Sequence, residues 1–204
     1  MNLVRTARCA LLLLLTGTAM ALPSAEQLQS AFERLDHNSD QLISLVEWDQ
    51  NAFALFRATD LNRNDSLDAE EVAEGPGSSA AFTQFDINHN GQLELDEFMQ
   101  LRRKLMIVAD INSNDSINRV EFELFQLISE AGWEDADKNG RLNFTELRAS
   151  IAKVFELADT DRNGVLSAAE ANFLSPLSYN VATAEGPLTS ERLYIYYRRH
   201  LTGE

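Results

Sequence analysis

Asp159-Thr160-Asp161-Arg162-Asn163-Gly164-Val165-Leu166-Ser167-Ala168-Ala169-Glu170 sets oxygen-bearing side chains at the first, third, fifth, ninth and twelfth of twelve positions. Glycine takes the sixth position and leucine the eighth. Toward the N-terminus the same pattern returns in full at Asp135–Glu146 and Asp86–Glu97, and in step with them at Asp36–Glu47, Asp60–Glu71 and Asp110–Glu121. At usages of roughly 5–10% per residue type, a strict match arises by chance at on the order of one in a million start positions. Three full matches and three more in the same phase make this an internal repeat.

In these six loops the oxygen positions are filled by Asp36, Asn38, Asp40, Ser44 and Glu47; Asp60, Asn62, Asn64, Asp68 and Glu71; Asp86, Asn88, Asn90, Glu94 and Glu97; Asp110, Asn112, Asn114, Asn118 and Glu121; Asp135, Asp137, Asn139, Asn143 and Glu146; and Asp159, Asp161, Asn163, Ser167 and Glu170. The six resemble the loops of the EF-hand calcium-binding superfamily, and the resemblance covers nearly all of residues 32–172. It implies that those side chains ligate Ca²⁺, a hard cation that takes six to eight oxygens at ~2.4 Å. It also implies a backbone carbonyl ligand from position 7, here Leu42, Ser66, Gln92, Ser116, Arg141 and Val165, and up to six ions per chain.

Departures from the pattern rank the loops. Position 6 requires a positive φ, which suits Gly91, Gly140 and Gly164; Asp65 and Asp115 tolerate it better than Gln41, and neither residue type matches glycine. Loop 4 has only Asp110 and Glu121 as carboxylates beside three asparagines, so it is expected to bind most weakly.

Successive loops begin 24 to 26 residues apart. Subtracting the loop leaves about a dozen residues, the length of one helix of ~18 Å. The expected fold is therefore all-α: six EF-hand helix-loop-helix units with helices shared between neighbouring hands, plus a C-terminal helix. Trp48, Phe53 and Phe56 on the first shared helix, and Phe122, Phe125 and Leu127 on the fourth, recur at helical spacing. Gly75-Pro76-Gly77 should break the helix between loops 2 and 3. Loops joined by one straight helix lie at its opposite ends, so alternate loops are expected to pair through the Ile or Leu at position 8. Bent helices that bring sequence neighbours together are the alternative.

The chain carries 32 acidic against 17 basic residues, a net charge of −15. Such a polyanion is repelled by nucleic acid and anionic lipid. Arg5 and Arg8, a short apolar run to Leu15 and Ala19-Met20-Ala21 read as a secretory signal peptide over residues 1–21, leaving the array at 22–174 and a C-terminal loop and capping helix at 175–204. Cys9 would leave with that segment, taking thiol chemistry with it. No later stretch is apolar enough for membrane insertion. The triplets starting at Asn64, Asn114 and Asn143 match a glycosylation pattern, yet a glycan there would ruin the loops, which favours a periplasm among secretory destinations.

His37 and His89 sit at loop positions 2 and 4, and His200 is remote, so the histidines offer neither a catalytic set nor a transition-metal site. Near the C-terminus, Pro187 and Thr189 introduce a helix with Leu193, Tyr196, Tyr197 and Leu201 on one face; a cap on the last hand is expected, against a releasable partner-binding helix. Beyond Met20 only Met99 and Met106 remain, which argues against a methionine-rich groove. The expected function is a secreted or periplasmic calcium-ion binding protein without enzymatic activity, a buffer or Ca²⁺-stabilised structural protein. The alternative is a sensor that docks a protein, matrix or mineral partner when loaded.

Overall fold

The computed structural model describes residues 22–72 and 85–203. The signal-peptide reading of residues 1–21 and the helix break at Gly75-Pro76-Gly77 lie outside those residues.

Each helix starts and stops where the loops dictate. Ser24 opens α1 (Ala25–Leu35) with a capping box, its hydroxyl accepting from the Gln27 N–H while the Gln27 side chain accepts from the Ser24 N–H. The same reciprocal device opens α2 (Leu45–Thr59) through Ser44 and Glu47, satisfying N–H groups that a helix start otherwise leaves unpaired. At the other end, Asp36 and Asp60 stop α1 and α2, turning out of helical geometry while their N–H groups still bond the Phe32 and Phe56 carbonyls. Residues 9 and 12 of a loop thus start a helix, and residue 1 of the next loop ends it.

After loop 1 come β1 (Leu42–Ser44) and α2; after loop 2 come β2 (Ser66–Leu67) and α3 (Ala69–Val72). Loop 3 leads through β3 (Leu93–Glu94) into α4 (Leu95–Ala109), and loop 4 through β4 (Ser116–Asn118) into α5 (Arg119–Ala131). α6 (Phe144–Ala158) runs between loops 5 and 6, and α7 (Pro176–Thr183) and α8 (Ser190–Thr202) close the chain.

Single helices do join loops 1 and 2, and loops 3 and 4. The pairing of loops is not the alternate one. β1 pairs antiparallel with β4, Ile43 opposite Ile117, and β2 pairs antiparallel with β3, Leu67 opposite Leu93. The reason lies in α2 and α4, which pack extensively on each other. α2 leads from loop 1 to loop 2 and α4 from loop 3 to loop 4. Laid side by side in opposite directions, they bring loops 1 and 4 together at one end and loops 2 and 3 at the other. Arg103 of α4 clamps Asp49 of α2 with two N–H groups, the shorter contact 2.7 Å. The Trp48 indole N–H donates to the Arg102 carbonyl at 2.7 Å, and the Arg102 guanidinium lies over the indole 4.2 Å from its centre.

Two buried clusters follow. The larger gathers Phe32 of α1, Trp48 of α2, Phe122 and Phe125 of α5, Ile151 and Phe155 of α6, and Leu193 and Tyr197 of α8; Phe32 and Phe122 meet edge to face at 5.7 Å. The smaller unites Ala52, Phe56, Leu67, Leu93 and Phe98 between the paired loops 2 and 3, with Phe56 and Phe98 edge to face at 5.6 Å. Burying each such aromatic is worth about 1.5–3 kcal/mol. Phe53 departs from its expected place: it is exposed, with the Arg57 guanidinium over its ring at 5.3 Å.

The last two hands differ from a regular helix-loop-helix. α5 ends at Ala131, where Gly132 takes φ 86°, and residues 132–134 lead into loop 5 without helix. Loop 6 exits into turns over 168–173, so the expected exiting helix is absent. Pro176 starts α7, capped by Ser175, and limits how far any helix leaving loop 6 could run, because proline disfavours helical geometry in the residue before it. The Ala25 N–H closes on the Asn172 carbonyl at 2.9 Å, tying α1 to this turn. Among the described residues, no helix is long and apolar enough to cross a membrane.

Candidate metal centres

Each loop is wound around its own carboxylates. In loop 6 the two carboxylate oxygens of Asp159 accept from the Asn163 N–H at 3.1 Å and the Gly164 N–H at 2.9 Å. The Asp161 Oδ1 accepts from the same Asn163 N–H at 3.0 Å, and Asn163 Oδ1 accepts from the Val165 N–H at 2.8 Å. Glu170 reaches back across the loop, its Oε1 accepting from the Thr160 and Asp161 N–H groups and its Oε2 from the Ser167 N–H.

This wiring recurs in loop 1 (Asp36, Asn38, Asp40, Glu47) and loop 2 (Asp60, Asn62, Asn64, Glu71). It recurs in loop 3 (Asp86, Asn88, Asn90, Glu97), loop 4 (Asp110, Asn112, Asn114, Glu121) and loop 5 (Asp135, Asp137, Asn139, Glu146). Residues at positions 1, 3, 5 and 12 therefore come together in every loop. Position 9 acts mainly as a helix cap: Ser44, Asp68, Asn118, Asn143 and Ser167 accept from the N–H of the glutamate three residues on. Glu94 of loop 3 instead takes the side-chain amides of Asn88 and Asn90, at 3.1 and 2.6 Å. The position-7 residue Arg141 directs its guanidinium away to the Ser113 hydroxyl of loop 4, at 2.8 Å.

Positive φ was expected at position 6, and Gln41 (70°), Asp65 (64°) and Asp115 (64°) adopt it as the three glycines do. Position 4 was missed: Ser39, Arg63, His89, Ser113, Lys138 and Arg162 all lie between 58° and 61°. Those residue types carry no shared signal for left-handed backbone, so their identities could not reveal it. The two left-handed residues turn successive N–H groups inward toward the carboxylates, which supplies their hydrogen bonds.

The chemistry of the donors fits a hard cation. In loops 5 and 6, carboxylate oxygens of Asp135, Asp137 and Glu146, and of Asp159, Asp161 and Glu170, lie within 4.8 Å of one another. Asp36, Asp60, Asp86, Asp110, Glu47, Glu97, Glu121 and Glu146 are buried. Several like charges at such range, part of them out of water, call for a positive partner.

The glutamates differ in their electrostatics. Burial pushes the Glu121 carboxyl above its ordinary value, and the Asp110 charge adds to this against hydrogen bonds from Asn118, Asn112 and Ile111. For Glu47 burial also raises, but N–H and hydroxyl donation from Ser44 and N–H donation from Asn38 and His37 outweigh it and hold the group low. Glu170 is held at about 2, chiefly by the Ser167 N–H and then the Ser167 hydroxyl, with the Thr160 hydroxyl and the Asp161 N–H assisting.

Comparison with known families agrees with this geometry. A family description of an EF-hand domain pair matches residues 79–151, and one of a single EF hand matches residues 151–170. No curated protein matches the chain. The matched stretch contains loops 3 to 6 and supports the EF-hand calcium-binding superfamily and Ca²⁺ as the bound ion.

Proposed function

We propose that the protein binds up to six Ca²⁺ ions in a secretory or periplasmic space and serves as a calcium buffer or a Ca²⁺-stabilised structural protein. The observation that carries this reading is the repetition of one wiring in all six loops, including loops 1 and 2, which lie outside the family matches. In each loop Asp at position 1, the side chains at 3 and 5 and Glu at 12 would ligate, with the position-7 carbonyl beside them. Calcium supplies the positive charge that lets the carboxylates converge, and the chain supplies the geometry and the N–H groups that orient them. The reading assigns no reaction to the chain. In an extracellular setting, sites of Kd ~10⁻⁴–10⁻³ M suffice.

Calorimetric titration of the chelator-treated protein tests the proposal, with the melting temperature followed in parallel. Uptake of six ions and a higher melting temperature are expected, since each site filled at a hundredfold over its Kd adds about 2.7 kcal/mol. Uptake that does not saturate, or melting indifferent to calcium, would overturn it. An apolar dye separates the two roles: unchanged dye binding on loading fits a buffer or structural protein, and a large increase points to a sensor.

A further inference from the structure

Among the described residues, loop 6 has no calcium loop as its partner. Leu166, its position-8 residue, instead faces Leu188 across an antiparallel bridge, and its N–H donates to the Leu188 carbonyl at 2.8 Å. In loops 1 to 4 position 8 meets position 8, Ile43 facing Ile117 and Leu67 facing Leu93, while Leu142 of loop 5 lies in no strand or bridge. Counting from Leu188 as an eighth position makes Thr189 the ninth and Arg192 the twelfth. Thr189 behaves as a ninth residue does, capping α8 by accepting from the Arg192 N–H at 3.3 Å. Leu188 is fully buried, as are Ile43 and Ile117.

We propose that α7, residues 184–189 and α8 form a seventh hand with a shortened loop that needs no metal, because the Arg192 guanidinium supplies the positive charge inside it. Arg192 stands where the other hands have glutamate. Its Nη2 donates to the Glu185 carbonyl, and Nη1 lies 3.8 Å from the Glu185 carboxylate, which Arg199 of α8 also approaches at 3.7 Å. Gly186 makes the room: a Cβ there would sit 3.1 Å from the Arg192 Nη2. The α7 residue Tyr179 completes the attachment, its hydroxyl donating to the Leu166 carbonyl at 3.0 Å. Both backbone groups of Leu166 are therefore held by a unit that carries its own cation. Loop 6 keeps its paired shape without calcium anywhere in the chain and takes up its ion independently of the other loops, a consequence that rests on loop 6 being a calcium site.

Amide exchange of the full chain in chelator tests this. Leu166 is expected to stay protected in the unaltered protein. Arg192→Met should speed its exchange about tenfold or more, since a charge-assisted contact is lost, and Arg192→Lys, which keeps the charge, should do so less. Should Arg192→Met fail to fold, Arg192→Gln, which keeps amide donors and loses the charge, is expected to give the same acceleration. An unprotected Leu166 in the unaltered protein, equal effects of Met and Lys, or unchanged exchange in both Arg192→Met and Arg192→Gln would overturn the proposal. The readout needs no bound calcium. Its failure leaves the calcium reading standing, whereas a loop 6 that takes up no calcium leaves the seventh hand standing.

Discussion

Ile43 of loop 1 and Ile117 of loop 4 lie directly opposite each other in an antiparallel pair, both fully buried, although two other loops separate them in the chain. Their strands include the position-7 and position-9 residues of both loops, so an ion that orders one loop acts on the backbone of the other. Ile43→Ala is expected to lower the affinity of loops 1 and 4 together and leave loop 6 unchanged, with a stability loss of about 2–5 kcal/mol. Residue-resolved NMR titration checks this; an effect confined to loop 1 would contradict it.

Gln41 holds a left-handed backbone that costs a side-chain-bearing residue about 1–2 kcal/mol. Gln41→Gly should recover up to about 1 kcal/mol and tighten loop 1. Asp65→Gly should gain less, because Asp65 also forms an ion pair with Arg57 that the substitution removes. Denaturant unfolding of the two variants, with calcium saturating, compares them.

Acidification should empty loop 4 before loop 6. Burial raises the Glu121 carboxyl above 4.5, so it takes up a proton earlier as pH falls, while Glu170 at about 2 stays ionised. In the metal-free chain the raised value means the folded state holds the Glu121 proton more tightly than the unfolded state. That contribution to stability is present below about pH 4.5 and is lost as pH rises through the raised value. Calcium binding is therefore expected to matter most for loop 4 at neutral pH. Following each loop by NMR from about pH 7 to 4 at fixed calcium, with release from loop 4 first, is the check.

Trp48→Phe should destabilise the α2–α4 contact by about 1–3 kcal/mol, because it leaves the Arg102 carbonyl without its indole donor and removes the better ring beneath the guanidinium. That guanidinium is pulled down to about 10 by burial, against the Asp49 charge. Unfolding of the calcium-loaded variant measures the loss; an unchanged midpoint would show that the contact is marginal.

Much of each site was legible because it is local. The carboxylates and the left-handed turn at Gly164 lie within a dozen residues, so spacing constrains them directly, whereas the capping role of Ser44 and Asn143 at position 9 emerged only from the structure. The left-handed residues at position 4 were not legible, since Ser39, Arg63 and Lys138 share no property that marks such backbone. Phe53 was misplaced for another reason: it follows the helical period of Trp48 and Phe56, yet it falls at the edge of the buried face, where Arg57 covers it. The sixth hand's missing exit helix was not legible, since residues 168–173 form turns although the spacing expected a regular helix-loop-helix there.

The sequence by itself determined that six oxygen-rich loops exist in one phase and that about one helix separates successive loops. Only the tertiary structure decided which loops face each other. Position 8 is Ile or Leu in every loop, so it holds no information about its partner. The choice falls to the antiparallel packing of α2 on α4, and for loop 6 to Leu188, a residue outside the repeat. Coordination is set by neighbours in the chain, whereas pairing is set by burial between helices that are distant in sequence.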